Sequence, residues 1–303
     1  MFEGLRRDPQ VKLHPVLAHG PLIYDEVQRR ILEQRYLQYY KISKDFQIPM
    51  LTFTNTWRTN KPRLQETKFK NENINFDCVT FLKKLASPFS KVVVGGLMGC
   101  VGDAYKAKEA LTAVEAEEVH DFQAKSLTEA GVDFLYGSTL PALSEATGIA
   151  RAMGKYGLPY VLSFVIRPNG NLLDGSPLDK AIATIDSSTV NKPLFYMVNC
   201  VHPSIFQKAM TQLRFKKNKA LNRVLGFKAN TCALSPEELD GAVELHSEDP
   251  EVFAKELLAI YREYNLKVIS GCCGTDDRHI RALAAGLTSK SPQSAGTILN
   301  RSF

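Results

Sequence analysis

Short apolar runs alternate along this chain with longer segments in which apolar residues recur at helical spacing. The short runs are nearly continuous in apolar residues, which is typical of strands buried on both faces of a parallel sheet. The pattern predicts eight strands, at 15–19, 50–54, 91–96, 132–137, 160–166, 194–199, 223–229 and 266–270.

The segments between these runs carry helix signals with identifiable ends. Thr112 and Glu115 form a capping-box pattern ahead of a helix that stops at Gly131. Another helix is predicted to begin within 235–238, where a proline takes the first helical position. A further helix is predicted at 251–264, directly before the last strand.

Eight strand–helix units within 303 residues predict an α/β fold, specifically a (β/α)8 TIM barrel. A doubly wound open sheet is the alternative. Because no Pro/Gly/Ser-rich linker and no change in composition divides the chain, we expect one domain over residues 1–303. In such a barrel, the catalytic residues lie at the carboxyl ends of the strands.

Composition narrows the class of protein. The chain is 44% apolar with a net charge of +6, and no apolar stretch approaches the ~18 residues that a membrane span needs. The densest basic run, 214–219, has no interleaved aromatic residues, so neither nucleic acid nor a membrane is an expected partner. Residues 1–15 lack the apolar core of a secretory signal, and the six cysteines are irregularly spaced. Both features indicate a reducing, cytoplasmic location.

The cysteines give the first candidate site. Cys200 ends the sixth predicted strand, and the adjacent Cys272 and Cys273 end the eighth, between Gly271 and Gly274, which allow a sharp turn. A barrel brings both strand ends to one mouth. Three thiolates there, at about 2.3 Å each, would hold Zn²⁺ and leave a fourth position open, as in catalytic zinc sites. The spacing alone is equally compatible with buried, inert cysteines.

Several motifs in a fixed order point to a known family. Residues 196–203 are "YMVNCVHP" and residues 271–284 are "GCCGTDDRHIRALA". They resemble the signatures of the homocysteine S-methyltransferase family, an "NC" and a late "GGCC" followed by Thr and "HI". The segments "LTFTNTW", "VGGLMGCVGDAY", "AGVDFLYGSTLPALSEA" and "FKAN" resemble further motifs of that family. The likeness therefore runs from about residue 14 to residue 287.

The resemblance implies zinc-dependent methyl transfer within a (β/α)8 barrel. Carried over residue by residue, it makes Cys200, Cys272 and Cys273 the zinc ligands and the catalytic centre. It further implies that an acceptor thiol, homocysteine by default, loses its proton and takes up a methyl group, which gives methionine. Asn199, beside a ligand, either orients the site or caps the backbone.

The resemblance also bears on the substrates. The family's large members carry folate and cobalamin domains for which this chain has no room. The donor is therefore expected to be a small methylated cation, such as S-methylmethionine, S-adenosylmethionine or betaine. A methyl-onium group favours an aromatic face. Trp57 and Tyr24 are the candidates for that face, with packing at the rim as the alternative for both. Both substrates are expected to be small molecules, and a homo-oligomer is left open.

The remaining substrate-binding candidates include the positions where the chain departs from the family. Gly20, Thr54 and Asn55 lie at or just after the ends of the first two predicted strands and match the family's motifs. The family's "DG" is here His19-Gly20, and the glutamate of its "ET", which helps to hold the homocysteine ammonium group, is here Ser138. Each charge-assisted hydrogen bond lost in this way is worth about 1.5–3 kcal/mol.

Three hypotheses follow from these departures. The first is the family's usual transfer to homocysteine. The second is the same chemistry on another small thiol, one without a free α-amine or with an added acid, whose carboxylate His19 would suit. The third is a non-catalytic zinc-binding barrel. A structural, hydrogen-bonded role for His19 is the alternative to substrate contact.

Other polar or thiol residues are weaker candidates. Cys100 and Cys232 fall at the same mouth, and ordinary loop or core positions are favoured for both over spare ligands. Cys78 is predicted in the core, His202 is favoured as a non-ligand, and His279 is expected to pack against or cap the final helix.

Overall fold

The computed structural model describes residues 1–214, 218–234 and 247–289. Its centre is a curled sheet in which each strand pairs in parallel with the next along the chain. The parallel α/β class predicted from the sequence is confirmed. The strands are β1 (Met50–Phe53), β2 (Val92–Met98), β3 (Phe134–Leu140), β4 (Tyr160–Phe164), β5 (Phe195–Val201), β6 (Val224–Ala229) and β7 (Val268–Gly271).

The first predicted strand, 15–19, is not a strand. His14 and Ala18 exchange two backbone hydrogen bonds of 2.9 Å and close a tight loop, in which Ala18 has a left-handed φ of 53°. Pro15 lies inside this loop and has no N–H to donate to a strand ladder. The described residues therefore form seven strands instead of eight, and no pairing among them joins β1 to β7.

Helices surround the sheet. None of the described ones has both the length and the apolarity that crossing a membrane requires. The helices are α1 (Phe2–Arg6), α2 (Glu26–Phe46), α3 (Lys61–Gln65), α4 (Ile74–Ala86), α5 (Ala113–Glu129), α6 (Leu143–Gly154), α7 (Leu178–Ser188), α8 (Pro203–Arg214), α9 (Pro250–Glu263) and α10 (Asp277–Thr288).

The predicted helix ends agree with the structure wherever the structure describes them. Thr112 and Glu115 form a reciprocal capping box at the start of α5, and Gly131 follows its end with a φ of 87°. Helix α9 confirms the prediction at 251–264. The predicted helix start at 235–238 lies outside the described residues.

Apolar side chains fill the inside of the curled sheet. This inner cluster consists of Phe134, Tyr136, Val161 and Met197. Toward the carboxyl end of β6, the Lys228 ammonium lies 5.1 Å from the ring centroid of Phe53 on β1. Since β1 and β6 stand far apart in the strand order, this contact shows that the sheet curls around its own interior.

Candidate active site

A cavity of about 740 Å³ opens at the carboxyl ends of the strands, and three cysteines form one side of it. Cys200 lies on β5, and Cys272 and Cys273 directly follow β7. Their three Sγ atoms lie within 4.8 Å of one another, and the Cys200 and Cys272 sulfurs are 2.7 Å apart. The fold thus brings together residues separated by 72 positions, and these three cysteines form what we term the thiol wall.

The turn that presents the cysteine pair requires glycine at both ends. A Cβ on Gly271 would lie 2.3 Å from Oγ1 of Thr275, and Gly274 has a left-handed φ of 82°. The Thr275 hydroxyl donates a hydrogen bond of 2.8 Å to the Cys272 carbonyl. The predicted need for glycine at these two positions is therefore confirmed.

Asn199 lies beneath the thiol wall and joins three strand ends. Its Oδ1 accepts hydrogen bonds from the Thr139 N–H (3.2 Å) and the Ser163 hydroxyl (2.6 Å), and its Nδ2 donates to Thr139 Oγ1 (2.8 Å). Thr139 and Cys200 both have left-handed backbone, with φ of 61° and 56°, which is costly for residues other than glycine. The buried Asn199 therefore supports a strained backbone and does not line the cavity, and its direct contact with substrate stays a prediction.

Two residues that the sequence analysis did not single out contact the thiol wall. The Tyr105 hydroxyl is hydrogen-bonded to the Cys200 thiol, and burial raises the pKa of Tyr105 well above its usual value. Asn230 accepts a hydrogen bond of 3.1 Å from the Cys273 N–H through its side chain. Tyr105 is the last residue of "VGGLMGCVGDAY" and Asn230 is the last residue of "FKAN", two segments that resemble motifs of the family. Their positions in these motifs could have identified them as site residues.

The donor set fits a soft metal ion such as Zn²⁺. Hydrogen bonds from Cys200 and Cys273 hold the pKa of Cys272 well below its usual value, and the bond between Cys200 and Cys272 raises the pKa of Cys200 to about 12. Three thiolates at about 2.3 Å from a tetrahedral ion stand about 3.8 Å apart. All three sulfurs lie within 4.8 Å of one another, and the Cys200 and Cys272 sulfurs, 2.7 Å apart, would have to separate by about 1 Å to accommodate the ion.

Four other residues that the sequence analysis named, either as substrate-binding candidates or as departures from the family's motifs, line the cavity away from the thiols. We term His19, Thr54, Trp57 and Ser138 the N-terminal wall. His19 is only 6% exposed, and burial lowers its pKa to about 4, so the imidazole is neutral at pH 7. Its Nδ1 is buried and finds no hydrogen-bond partner in the described residues. The positive charge that His19 was expected to offer an acceptor carboxylate is therefore absent from this residue.

The two aromatic candidates for an onium face differ in position. Trp57 lines the cavity, but the Arg58 guanidinium lies 4.5 Å from its ring centroid and the Phe2 ring packs against it at 5.9 Å. Part of its aromatic surface is thus already in contact with a cation of the protein itself. The Tyr24 hydroxyl donates a hydrogen bond of 2.6 Å to Asp77, and Tyr24 does not line the cavity. This position agrees with the alternative for Tyr24, a packing role outside the site.

Gly20 and Asn55 lie behind the N-terminal wall. The Asn55 amide donates hydrogen bonds of 3.1 Å to the carbonyls of both His19 and Gly20. Neither Gly20 nor Asn55 lines the cavity. These contacts hold His19 in place, and direct substrate contact by the two residues stays a prediction.

The remaining cysteines and histidines that the sequence analysis named as weaker candidates lie apart from the thiol wall. Cys78 is buried in the core, as predicted, and Cys100 lies near a carbonyl with its pKa raised to about 12 by burial. Cys232 lines the cavity outside the three-sulfur group. His202 lies with two glutamates instead of the thiols. His279 completes the capping box at the start of α10, which confirms its predicted role.

Lys228 is a cavity-lining cation that the sequence analysis did not single out. Its ammonium lies 5.1 Å from the ring centroid of Phe53 and 5.5 Å from that of Tyr136. Burial alone would lower the pKa of Lys228, but Tyr136 and the thiols outweigh it and raise the pKa above the usual value. The feature of the sequence that could have identified Lys228 is its position as the single lysine within the mostly apolar predicted strand 223–229.

A parallel barrel-type sheet with three cysteine sulfurs grouped at its strand ends defines a class of thiol-centred barrel. The family model for homocysteine S-methyltransferase matches residues 6–287, so the chain belongs to the homocysteine S-methyltransferase family, a family of methyltransferases. The resemblance drawn from the motifs is thereby confirmed.

Relatives and solved structures agree with this assignment. The homocysteine S-methyltransferase YbgG of Bacillus subtilis (strain 168) is 24% identical over 185 residues, 61% of this chain and 56% of that protein. The match thus spans little more than half of that relative. The metallated form of the homocysteine methyltransferase MmuM from Escherichia coli gives a TM-score of 0.75 at 17% identity over 94% of both chains. Its oxidized form gives 0.69 at 18% identity over 91% of this chain and 90% of that one. These two likenesses show the barrel-type fold.

Proposed function

We propose that this chain carries out zinc-dependent transfer of a methyl group from a small methylated onium donor, such as S-methylmethionine, to a small thiol. Homocysteine is the default acceptor for the family. The observation that carries the proposal is the group of three Sγ atoms within 4.8 Å at the wall of a cavity large enough for two small molecules. Zn²⁺, when bound, supplies a Lewis acid that lowers the pKa of a thiol.

The chain's own residues have distinct roles in this proposal. Cys200, Cys272 and Cys273 hold the ion, while Tyr105 and Asn230 fix two of these cysteines through hydrogen bonds. The cavity aligns the acceptor sulfur with the donor methyl group and limits access of water. The new bond joins the acceptor sulfur to the methyl carbon. The bond between that carbon and the donor's onium atom breaks, and its electron pair stays on the donor, which leaves as a neutral molecule.

The relatives support the finer parts of the proposal. YbgG and MmuM both bear homocysteine methyltransferase in their names, and one MmuM form is described as metallated. With homocysteine as acceptor, the product is methionine, and the enzyme would serve methionine biosynthesis. The proposal also requires a reducing compartment, the cytoplasm, because the ligand thiols must stay reduced.

Zinc content tests the proposal most directly. We would purify the wild type, Cys273→Ala and the control Cys232→Ala under reducing conditions and measure zinc per chain. We expect about one zinc in the wild type and in the control, and a loss in Cys273→Ala, because a structural or catalytic zinc site needs its full ligand set. Addition of homocysteine or another accepted thiol should release protons, since a thiol that binds at the metal is deprotonated.

The outcomes separate the candidate functions. Absence of zinc from the wild type would refute the proposed mechanism. Zinc with neither proton release nor methyl transfer, for any small thiol with S-methylmethionine, would favour the non-catalytic barrel.

A further inference from the structure

Lys228 projects from β6 into the interior of the curled sheet. It pairs in register with Asn199 of β5 and Ser270 of β7, near the carboxyl ends of those strands. Its ammonium reaches the rings of Phe53 on β1 and Tyr136 on β3, so the side chain crosses the floor of the cavity. A ligand held at the thiol wall would therefore lie close to this charge.

The Lys228 ammonium has no acidic partner in the described parts of the chain. It lies against the two aromatic rings, and no hydrogen bond or ion pair within those parts of the chain involves it. The two described acids that line the cavity are already engaged, since Glu3 pairs with Arg6 and Arg7 and Asp103 pairs with Lys106. A half-buried ammonium of this kind favours an anion supplied by a ligand.

The N-terminal wall adds no negative charge. Ser138 presents a hydroxyl that contacts the neighbouring Thr139 hydroxyl at 3.3 Å, and the buried His19 is neutral at pH 7. Arg58 and Arg63 also line the cavity and add two positive charges. At the N-terminal wall a ligand ammonium group therefore meets hydroxyls and no acid, and the cavity's two acids are already paired, whereas a ligand carboxylate meets Lys228.

We infer that the acceptor is a small mercapto acid, a thiol with a carboxylate or similar anion and no α-ammonium group, and that Lys228 determines this specificity. The inference rests on the proposed function, because it names the acceptor for the same thiol methylation. It moves the acid-binding role that the sequence suggested for His19 to a different residue.

A different role for Lys228 has to be separated from this one. The ammonium also lies in the electrostatic field of the three cysteines, so it could serve only to balance thiolate charge. In that case, neutralising Lys228 would lower the affinity for zinc and weaken the binding of all thiols by the same factor. A role in substrate recognition instead changes the ratio, because Lys228 attracts the carboxylate that both ligands share but repels the α-ammonium group that only one of them carries.

Two matched pairs of ligands provide the test. Homocysteine and 4-mercaptobutyrate share one carbon skeleton and differ only in the α-amine. Methionine and 4-(methylthio)butyrate are the corresponding thioethers, whose binding needs no thiol deprotonation. We would measure zinc content, kcat/KM for both thiols with S-methylmethionine, and calorimetric Kd for both thioethers. The proteins are the zinc-loaded wild type, Lys228→Met and the control Lys267→Met, which removes an exposed lysine just before β7.

We expect the wild type and Lys267→Met to prefer the ligand without the amine by about 10- to 100-fold in both pairs, because Lys228 repels the α-ammonium group and no acid replaces the charge-assisted hydrogen bond which that group needs. In Lys228→Met this preference should fall to within about threefold with zinc content unchanged, since neutral contacts discriminate weakly. A wild type that prefers homocysteine and methionine would overturn the inference. So would an unchanged ratio in Lys228→Met.

Failure of the proposed function gives a different pattern. If neither thiol is methylated by zinc-loaded wild type, methyl transfer to such thiols is refuted, and the inferred acceptor with it. The thioether pair would then still show whether Lys228 selects against the α-ammonium group, because that measurement needs neither transfer nor a thiol. Methylation of both thiols without a preference for the thiol that lacks the amine would leave the proposed function standing and refute only the inference.

Discussion

The two walls of the cavity differ in how closely they follow the family. The thiol wall keeps all three cysteines, both flanking glycines and the backbone ties that fix them. At the N-terminal wall, His19 and Ser138 stand where the resemblance to the family expects acids, and the Lys228 ammonium has no acidic partner among the described residues. The resemblance to the family is therefore complete at the thiol wall and incomplete at the N-terminal wall.

The physical requirements of the walls explain this difference. A three-thiol metal site needs every ligand in one geometry, so that loss of any cysteine removes the function. Recognition of an acceptor depends on the sum of charges and hydrogen bonds around it, which one or two substitutions can invert. The inferred acceptor follows this logic, since it combines the family's metal chemistry with an altered recognition wall.

Paired substitutions on the two walls should have very unequal effects. We expect Cys200→Ala to lose zinc and to lower kcat/KM roughly a thousandfold or more, because metal activation is worth several kcal/mol. Ser138→Ala removes one neutral hydroxyl and should change kcat/KM less than about tenfold. Both effects are measured as the rate of methyl transfer from S-methylmethionine to whichever of homocysteine and 4-mercaptobutyrate the wild type prefers, together with the zinc content of each variant.

Thermal unfolding of the two variants provides the control. Both should melt cooperatively, so that a loss in Cys200→Ala reflects the missing ligand and not an unfolded chain. A similar loss of activity in both variants would show that the two walls do not separate chemistry from recognition.

The burial of His19 gives the N-terminal wall a stability that depends on pH. Burial lowers the pKa of His19 from 6.5 to about 4, so the unfolded chain binds this proton more readily than the folded one. The stabilisation is complete above pH 6.5 and is lost as the pH falls toward 4, by about 3 kcal/mol in all. Urea unfolding at pH 7 and pH 4.5 should show a smaller pH-dependent loss in His19→Gln than in the wild type.

A second histidine variant provides the comparison for this measurement. His202→Gln removes a histidine that is less buried than His19, and it controls for the loss of a histidine as such. If His19→Gln lost as much stability as the wild type between the two pH values, His19 would not be the neutral, buried group described above.

Much of the fold and of the thiol wall could be predicted from the sequence. Buried parallel strands leave continuous apolar runs, and seven of the eight predicted strands are present. The run 15–19 has the same composition, but the loop closed by His14 and Ala18 takes its backbone out of the sheet. A composition signal cannot distinguish an apolar loop from a strand. The single-domain boundary at 1–303 stays a prediction.

The electrostatics of the N-terminal wall could not be predicted in the same way. The charge of His19 depends on burial, which arises from packing against Phe2 and from the hydrogen bonds of Asn55. The contact of Lys228 with rings on β1 and β3 depends on the curl of the sheet. Both are long-range properties of the fold, whereas the cysteine motif is local and specific enough to be recognised in the sequence.

Restoring the two lost acids is the finest test of the difference between the walls. In the double variant His19→Asp, Ser138→Glu, two carboxylates would face the acceptor's amine. We expect kcat/KM for homocysteine to rise about tenfold and that for 4-mercaptobutyrate to fall, because each charge-assisted hydrogen bond contributes about 1.5–3 kcal/mol and Lys228 offsets part of it. The control is His19→Asn, Ser138→Gln, which has similar size and hydrogen-bonding groups without the charge. An equal gain in this neutral control, or no gain for homocysteine in the charged variant while it still binds zinc and folds, would show that the acids do not explain the altered recognition.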